Sequence, residues 1–128
     1  MKKIIIDTNF LLIPGKFRID IFSEFQKIAD FKYELFIIDK TIYELNKIIN
    51  NKDLNMKDKL NAKIGLHLVE ANKVKKIESS LDDVDDAIVA AADKNTVVAT
   101  SDKELKRRLR ENGVKILNLM KKQYLKIE

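Results

Sequence analysis

The sequence predicts a single α/β domain in which a parallel β-sheet is covered by helices on both faces. Its 128 residues suit one compact domain, and hydrophobic residues make up 45% of the chain, enough to build a core. Short apolar runs alternate along the chain with segments whose apolar residues recur at helical spacing. This alternation is typical of parallel strands joined by right-handed crossover helices.

Four apolar runs are too short for helices and lack the polar alternation of half-exposed strands, so we interpret them as buried parallel strands. These runs are 4–6, 35–38, 97–99 and 116–119. A weaker fifth candidate is 74–77, in which two lysines favour a position at the edge of the sheet.

Helical spacing of apolar residues predicts helices at about 21–28, 42–49, 56–71, 84–91 and 105–109. Gly113 is placed to end the last of them. The third helix is predicted to bury the stripe Met56, Leu60, Ile64, Leu68 and Ala71. Residues 50–61 begin polar and aperiodic, and we expect this segment to be the most mobile.

Composition excludes several classes of site. The chain has no cysteine and one histidine, His67, which removes disulfides, cysteine nucleophiles and Cys/His zinc sites. No apolar stretch is long enough for a membrane helix or a signal peptide, so a cytoplasmic protein is expected. No phosphate-binding Gly-x-x-x-x-Gly-Lys loop is present. Catalysis, if any, should depend on carboxylates.

The positive charge is concentrated at the end of the chain. The net charge is +5, and residues 101–128 hold 9 Lys and Arg against 4 Asp and Glu. On the helix that begins after Asp102, helical geometry places Lys103, Arg107 and Arg110 on one face. This stripe is predicted to bind the phosphates of a nucleic acid, although an ordinary solvated helix face would look the same.

Acidic residues follow the predicted strands, where ligands of open α/β sheets bind. Asp7 follows the first strand, Glu44 lies on the helix after the second, and Asp102 follows the 97–99 strand together with Thr100. The run 82–86 contains four more carboxylates at the start of the helix that precedes that strand.

Each acid also has a local explanation. Asp7 and Asp39 could be turn residues, Thr41 and Glu44 fit a capping box, and Asp102 could cap its helix. The run 82–86 fits less well, because four neighbouring carboxylates repel one another and call for a nearby cation.

As a set, the acids predict a binding site for a divalent cation. Oxygen ligands suit Mg²⁺ or Mn²⁺, which keep exchangeable waters and accept phosphate oxygens. The chemistry expected of such a site is hydrolysis of a phosphodiester.

Four segments resemble, in order, the acidic motifs of PIN domains, and together they span residue 4 to about residue 119. They are Ile-Ile-Ile-Asp-Thr-Asn at 4–9, Glu44 in Thr-Ile-Tyr-Glu-Leu, Asp86 in Asp-Asp-Ala-Ile-Val-Ala-Ala-Ala, and Thr-Ser-Asp-Lys-Glu-Leu-Lys-Arg-Arg-Leu at 100–109. The resemblance implies a Rossmann-like three-layer sandwich with a parallel sheet of about five strands. It also implies Mg²⁺- or Mn²⁺-dependent endonuclease activity on single-stranded RNA.

Carried over by position, the resemblance makes Asp7, Glu44, Asp86 and Asp102 the catalytic, metal-coordinating acids. Asn9 and Thr100 would support them, with Asp83 as a less secure fifth acid. Asp85 and Asp86 are adjacent, and the choice of Asp86 rests on the Asp-x-x-Ile/Val-Ala spacing of the family.

The family resemblance leaves two roles open, a VapC-type toxin and a nuclease that processes ribosomal RNA. The corresponding partners are single-stranded or structured RNA, an antitoxin protein or a ribosomal precursor particle, and a second copy of the chain. Two rival functions are a catalytically inactive RNA-binding scaffold and an aspartyl-phosphate protein. Asn9 argues against the second, because phosphatases of that class carry a second aspartate there.

Overall fold

The computed structural model describes residues 1–128 and contains one six-stranded sheet. Its strands are β1 (Lys2–Ile6), β2 (Tyr33–Ile38), β3 (Lys75–Ile77), β4 (Thr96–Ala99), β5 (Lys115–Met120) and β6 (Tyr124–Ile127). They lie in the order β3-β2-β1-β4-β5-β6, and every neighbouring pair is parallel except β5 and β6. The predicted three-layer α/β class and all five predicted strands are confirmed, including the edge position of β3.

A short 3₁₀ helix and six α-helices connect the strands. The 3₁₀ helix is Thr8–Leu12, and the α-helices are α1 (Ile13–Phe17), α2 (Ile21–Ile28), α3 (Asp39–Ile49), α4 (Met56–Ala71), α5 (Val84–Ala91) and α6 (Lys103–Glu111). The five predicted helices are α2 to α6, whereas the 3₁₀ helix and α1 were not predicted. The second half of the segment expected to be mobile, 56–61, belongs to α4.

None of these helices combines the length and the apolar character needed to cross a lipid bilayer.

The sixth strand corrects the expected count of about five. β6 returns antiparallel to β5 through a turn in which Lys121 and Lys122 both have positive φ, at 54° and 55°. Two-residue stretches with positive φ usually contain asparagine or glycine, so a lysine pair gives no sequence signal for this turn.

The sheet separates two apolar cores. Ile4 and Ile6 of β1 pack into the larger core with the 3₁₀ helix and α1 to α4, whereas Ile5 packs into the smaller core with α5 and α6. Because alternate side chains of a strand point to opposite faces, an unbroken Ile-Ile-Ile run requires burial on both sides. β1 therefore occupies the middle of the sheet.

The order in which successive strands are added to the sheet reverses at β1. The crossovers from β1 to β2 and β3 run to one side, and the crossover through α5 returns the chain to β4 on the other side. Ligand crevices in open α/β sheets form where strand order reverses, beyond the carboxyl ends of the strands. Here that place lies just after Ile6 and Ala99.

α4 forms where predicted but buries a different face. Met56 and Leu60 are exposed, while the buried residues are Asn61, Ala62, Gly65 and Val69. A side chain in place of the Gly65 hydrogen would put its Cβ 2.5 Å from the backbone oxygen of Leu11 in the 3₁₀ helix. Close backbone contact thus selects the face with small residues rather than the face with large apolar ones.

We expect Gly65→Ala to lower the free energy of unfolding by about 1–3 kcal/mol, because the backbone of Leu11 must move to admit the methyl group. The usual effect of this change in a helix has the opposite sign, about 0.4–1 kcal/mol of stabilisation. Urea unfolding measures the difference, with the exposed Lys63→Ala of the same helix as control. A Gly65→Ala protein as stable as the parent would contradict the close packing.

Candidate functional site

An open cleft of about 760 Å³ lies at the carboxyl ends of the central strands. Its acidic lining comes from four separate segments: Asp7, Glu44, Asp83 with Asp85, and Asp102. Asn9 and Thr8 complete this side of the cleft. The structure therefore brings together acids that are up to 95 positions apart in the sequence, as the strand topology predicts.

Asp7 is the most deeply buried of these acids, with only 3% of its surface exposed. The backbone N–H of Thr8 donates to its Oδ1 at 2.8 Å, and the Thr100 hydroxyl donates to its Oδ2 at 2.8 Å. Both carboxylate oxygens are thus held by neutral donors, and the side chain is fixed at the end of β1.

Burial is the main cause that raises the pKa of Asp7, to about 6 from an ordinary value of 3.8. The hydrogen bond from Thr100 opposes the rise, the carboxylates of Asp85 and Glu44 add to it, and the Thr8 N–H lowers it. A buried carboxyl between other acids disfavours its own charged form, and a bound cation would remove that penalty.

Glu44 does not act as the second half of a capping box. α3 begins at Asp39, so Thr41 lies inside the helix and is fully buried. The Thr8 hydroxyl donates to Glu44 Oε1 at 2.5 Å and lies 3.1 Å from Thr41 Oγ1. Glu44 is thereby tied to the segment that follows Asp7. Asp39 accepts a hydrogen bond from the N–H of Lys40 and does not line the cleft.

The structure corrects the predicted orientation of the acids on α5. Asp85 lines the cleft, whereas Asp86 points away from it and pairs with Arg108 of α6 at 2.9 Å. Relative to the buried stripe of Val84, Ala87 and Ile88, Asp86 lies about 155° away and Asp85 about 105°. The cleft is on the flank of the helix, not opposite its core, so the nearer of the two acids faces it.

Burial also raises the pKa of Asp85, and the neighbouring carboxylates of Asp102, Asp83 and Glu44 add to this effect, whereas Arg108 opposes it. Asp83 both lines the cleft and caps α5, because its Oδ2 accepts the N–H of Asp86 at 3.0 Å.

Two cations balance the outer members of the 82–86 run. Arg108 pairs with Asp86, and Lys40 Nζ lies 4.0 Å from Asp82. Lys40 also donates to the backbone oxygens of Ser79 and Leu81, which fixes the loop before α5. Side chains of the protein thus balance Asp82 and Asp86, whereas Asp83 and Asp85 face the cleft.

Asp102 takes part in hydrogen bonds through both its side chain and its backbone. Its Oδ1 accepts the N–H of Leu105, which caps α6, and its own N–H donates to Thr100 Oγ1 at 3.1 Å. Thr100 therefore joins Asp7 to Asp102 through its single hydroxyl. It supports the site from within the protein, while Asn9 is exposed at the cleft.

The predicted basic stripe lies outside the cleft lining. Arg107 pairs with Glu104 and Glu111 of its own helix, and Arg110 pairs with Glu128. Lys103 is exposed, and none of the three cations lines the cleft. Glutamates of α6 and of the chain end thus pair with the two arginines, whose charges the helical geometry alone had left unpaired. His67 is exposed on α4 and does not line the cleft.

The second wall of the cleft was missed by the sequence reasoning. It comes from α3 and the turn after it, and its polar residues are Tyr43, Asn46, Lys47, Asn50 and Asn51. Lys47 is the one cationic side chain of the lining. The signal that could have revealed this wall is the polar spacing 43, 46, 47 and 50, which places four side chains on one helix face beside Glu44.

The donor set fits a hard divalent cation that keeps much of its water. The acidic side chains of the cleft offer carboxylate oxygens as ligands, and Asp7, the most deeply buried of these residues, has a raised pKa. No three acidic or histidine side chains lie close enough to one another to hold an ion by themselves. Mg²⁺ is often bound by one or two carboxylates, with water and substrate phosphates completing its shell.

The raised pKa of Asp7 predicts a specific pH dependence of stability. Between pH about 4 and 6 the folded protein binds more protons at Asp7 than the unfolded chain, so the free energy of unfolding falls as pH rises. The full difference is about 3 kcal/mol above pH 6. Asp7→Asn should remove this fall and stabilise the protein by about 1–3 kcal/mol at pH 7.

Urea unfolding of the parent and of Asp7→Asn from pH about 4 to 7 measures this difference. Asp93→Asn, which changes an exposed acid with a lowered pKa, is the matched control: the stability from this acid is lost only as pH falls below about 4, so the variant should keep the slope of the parent between pH about 4 and 7. Parallel pH profiles for the parent and Asp7→Asn would contradict the buried, strained state of this carboxyl.

Comparison with known proteins agrees with the fold and with the family that the sequence motifs resemble. The family model described as "PIN like domain" matches residues 4–122. Ribonuclease VapC4 of Methanocaldococcus jannaschii is 33% identical over 129 aligned positions, which cover 99% of this chain and 97% of that protein. Ribonuclease VapC9 of Archaeoglobus fulgidus is 29% identical over 114 positions, covering 88% of this chain and 78% of that protein.

Solved structures show the same architecture. The PIN domain endonuclease Utp24 superposes with a TM-score of 0.76 and 27% identity, covering 98% of this chain and 90% of that one. A domain of a functionally unknown protein from Methanocaldococcus jannaschii has a TM-score of 0.59 at 18% identity, over 94% of this chain and 92% of that one, and shares the fold. On the match of the family model across most of its length, this chain belongs to the PIN-like domain family.

Proposed function

We propose that this protein is a divalent-cation-dependent endoribonuclease that hydrolyses phosphodiester bonds of single-stranded RNA in the acid-lined cleft. The observation that carries the proposal is the buried carboxyl of Asp7, which faces three other acid-bearing segments where the strand order reverses. The ribonuclease names of the two curated relatives support RNA as the substrate.

In this proposal Asp7, Asp85 and Asp102 would share Mg²⁺ or Mn²⁺, with one or two of them in direct contact and the rest bound through the water molecules of the ion. Glu44 and Asp83 lie at the sides of the same cleft. The chemistry that such an ion supplies when bound is activation of a water molecule and neutralisation of charge on the phosphate oxygens.

The residues of the chain have separate tasks in this mechanism. The hydroxyl of Thr100 and the N–H of Thr8 orient the carboxylate of Asp7, which therefore loses little conformational freedom on binding. Glu44 is oriented by the hydroxyl of Thr8. Lys47 of α3 places a positive charge in the lining of the cleft, where it can attract an RNA phosphate.

Of the two roles implied by the family resemblance, we propose that of a VapC-type toxin, held inactive by an antitoxin protein. The relative with the VapC4 name aligns over 99% of this chain at 33% identity. If the proposal is right, expression of the parent protein alone should arrest growth of a bacterial host, while Asp7→Asn should not. Cleavage confined to ribosomal precursor RNA, without growth arrest, would favour the rRNA-processing role instead.

We expect Asp7→Asn, Asp85→Asn and Asp102→Asn each to lower kcat/KM for cleavage of a labelled single-stranded RNA by at least ~10²-fold. Each variant should stay folded, because removing one of several repelling carboxylates relieves repulsion. Asp58→Asn, an exposed acid of α4 outside the cleft, is the charge-matched control.

A direct comparison of Asp85→Asn with Asp86→Asn tests the orientation of α5. The loss should be much larger for Asp85, because Asp86 faces Arg108 rather than the cleft. Full activity of folded Asp7→Asn and Asp102→Asn proteins would exclude the proposed site. RNA binding without any cleavage by the parent would favour the inactive scaffold.

Cation binding should also be visible without activity. Mg²⁺ or Mn²⁺ should raise Tm by about 3–6 °C at pH 7.5 and by less at pH 5, because the cation binds the deprotonated acids and Asp7 has a pKa of about 6. Scanning fluorimetry with NaCl at equal ionic strength as control measures the shift. An equal shift for the parent and for Asp7→Asn would place the cation elsewhere.

A further inference from the structure

The side of the cleft formed by α3 carries, beside Glu44, side chains that the proposed hydrolysis does not use, apart from Lys47. Tyr43, Asn46, Lys47 and Asn50 follow one another at intervals of three, one and three residues on α3 and at its C-terminal cap. All four are exposed, and all four line the same cleft as Asp7. They form one continuous polar face, which we name the α3 wall.

Tyr43 gives the α3 wall an aromatic surface. The residue is 65% exposed, so its ring is accessible from the cleft that it lines. Lys47 Nζ lies 5.5 Å from the ring centroid, so a cation is held beside the ring at the cleft. An exposed ring next to a cation is a common platform for a nucleobase and its phosphate, because every base has a face that can stack.

The two asparagines add hydrogen-bonding groups of the kind that read the edge of a base. Each exposed amide offers two donor hydrogens and a carbonyl acceptor. These groups are neutral, and Lys47 is the one cation of the cleft lining. The α3 wall is therefore better suited to a base than to a row of phosphates.

Base contacts of this type are available to unpaired nucleotides. In a duplex the faces of the bases are covered by their neighbours, and the major groove of an RNA helix is too deep and narrow for side chains to read. A cleft lined by both an exposed aromatic ring and acids could accept a base on the ring and the adjoining phosphodiester of the same single strand at the acids.

We propose that the α3 wall is a nucleobase subsite in which one unpaired base stacks on Tyr43 and its edge is bound by Asn46 and Asn50. This subsite makes the cleft selective for single-stranded over double-stranded RNA. The inference deepens the proposed nuclease function and rests on it for the nature of the substrate, while its test measures binding and not cleavage.

The test is fluorescence anisotropy with a fluorescein-labelled single-stranded RNA of about 12 nucleotides, in the Asp7→Asn background so that the RNA stays intact. Tyr43→Ala should weaken the Kd by about 5- to 100-fold, the usual effect of removing one stacked base contact. Tyr43→Phe should bind within about 2-fold of the parent, because the ring remains. Tyr124→Ala, at another exposed tyrosine on β6, is the matched control and should change nothing.

Two further RNAs identify the contact as base stacking. The blunt duplex of the same sequence should bind more weakly and show no dependence on Tyr43. In a set of single abasic substitutions, one position should remove the difference between the parent and Tyr43→Ala, because the base that stacks is then absent.

A Kd for single-stranded RNA that does not change in Tyr43→Ala would overturn the inference, as would equal losses for single strand and duplex, or no binding by the parent. Cleavage assays with intact acids separate it from the proposed function. If Tyr43→Ala cleaves RNA as fast as the parent and binds it with the same Kd, the subsite is rejected and the nuclease function is kept. Tyr43-dependent binding without cleavage by the parent supports the subsite and rejects the nuclease.

Discussion

The burial of one carboxyl, that of Asp7, is the constraint on which the site depends. Asp7 directly follows β1, whose last three residues are fully buried between the two apolar cores, and its carboxylate accepts hydrogen bonds from two neutral donors. This arrangement disfavours the charged form and raises its pKa. The protein is therefore less stable at neutral pH than it would be with a neutral side chain at this position, as is common where function and stability compete.

The rest of the cleft follows from how charge is distributed around Asp7. The outer acids of the 82–86 run are paired with Lys40 and Arg108, whereas Asp83 and Asp85 face the cleft. Most of the acids come from the segments after β1 and β4 and from the start of α5, whereas α3 contributes Glu44 together with aromatic and amide groups. The hydrogen bond from Thr8 to Glu44 joins α3 to the segment that follows Asp7. A nuclease cleft with separate phosphate and base surfaces is consistent with this division.

Much of this could be predicted because it depends on local periodicity. The apolar runs identify the five parallel strands, and their order along the chain places acids after strand ends, so Asp7, Glu44 and Asp102 were placed correctly in one cleft. The resemblance to PIN domains was confirmed by the family match. The sixth strand was not predicted, because the lysine turn before β6 contains no glycine or asparagine. The binding of phosphates by Lys103, Arg107 and Arg110 stays a prediction; the two arginines pair with acids of α6 and of the chain end.

The sequence by itself determined the α/β class, the burial of β1 as a parallel strand and the collection of acids at one edge, because strand and helix periods and the rule for parallel crossovers act on short stretches. The tertiary structure decided which of two adjacent acids, Asp85 or Asp86, faces the cleft, and which face α4 buries. The two alternatives in each case are related by a rotation of the helix about its axis of less than a third of a turn. That rotation is fixed by contacts with residues far away in the chain, such as Arg108 against Asp86 and Leu11 against Gly65, whose positions no local pattern specifies.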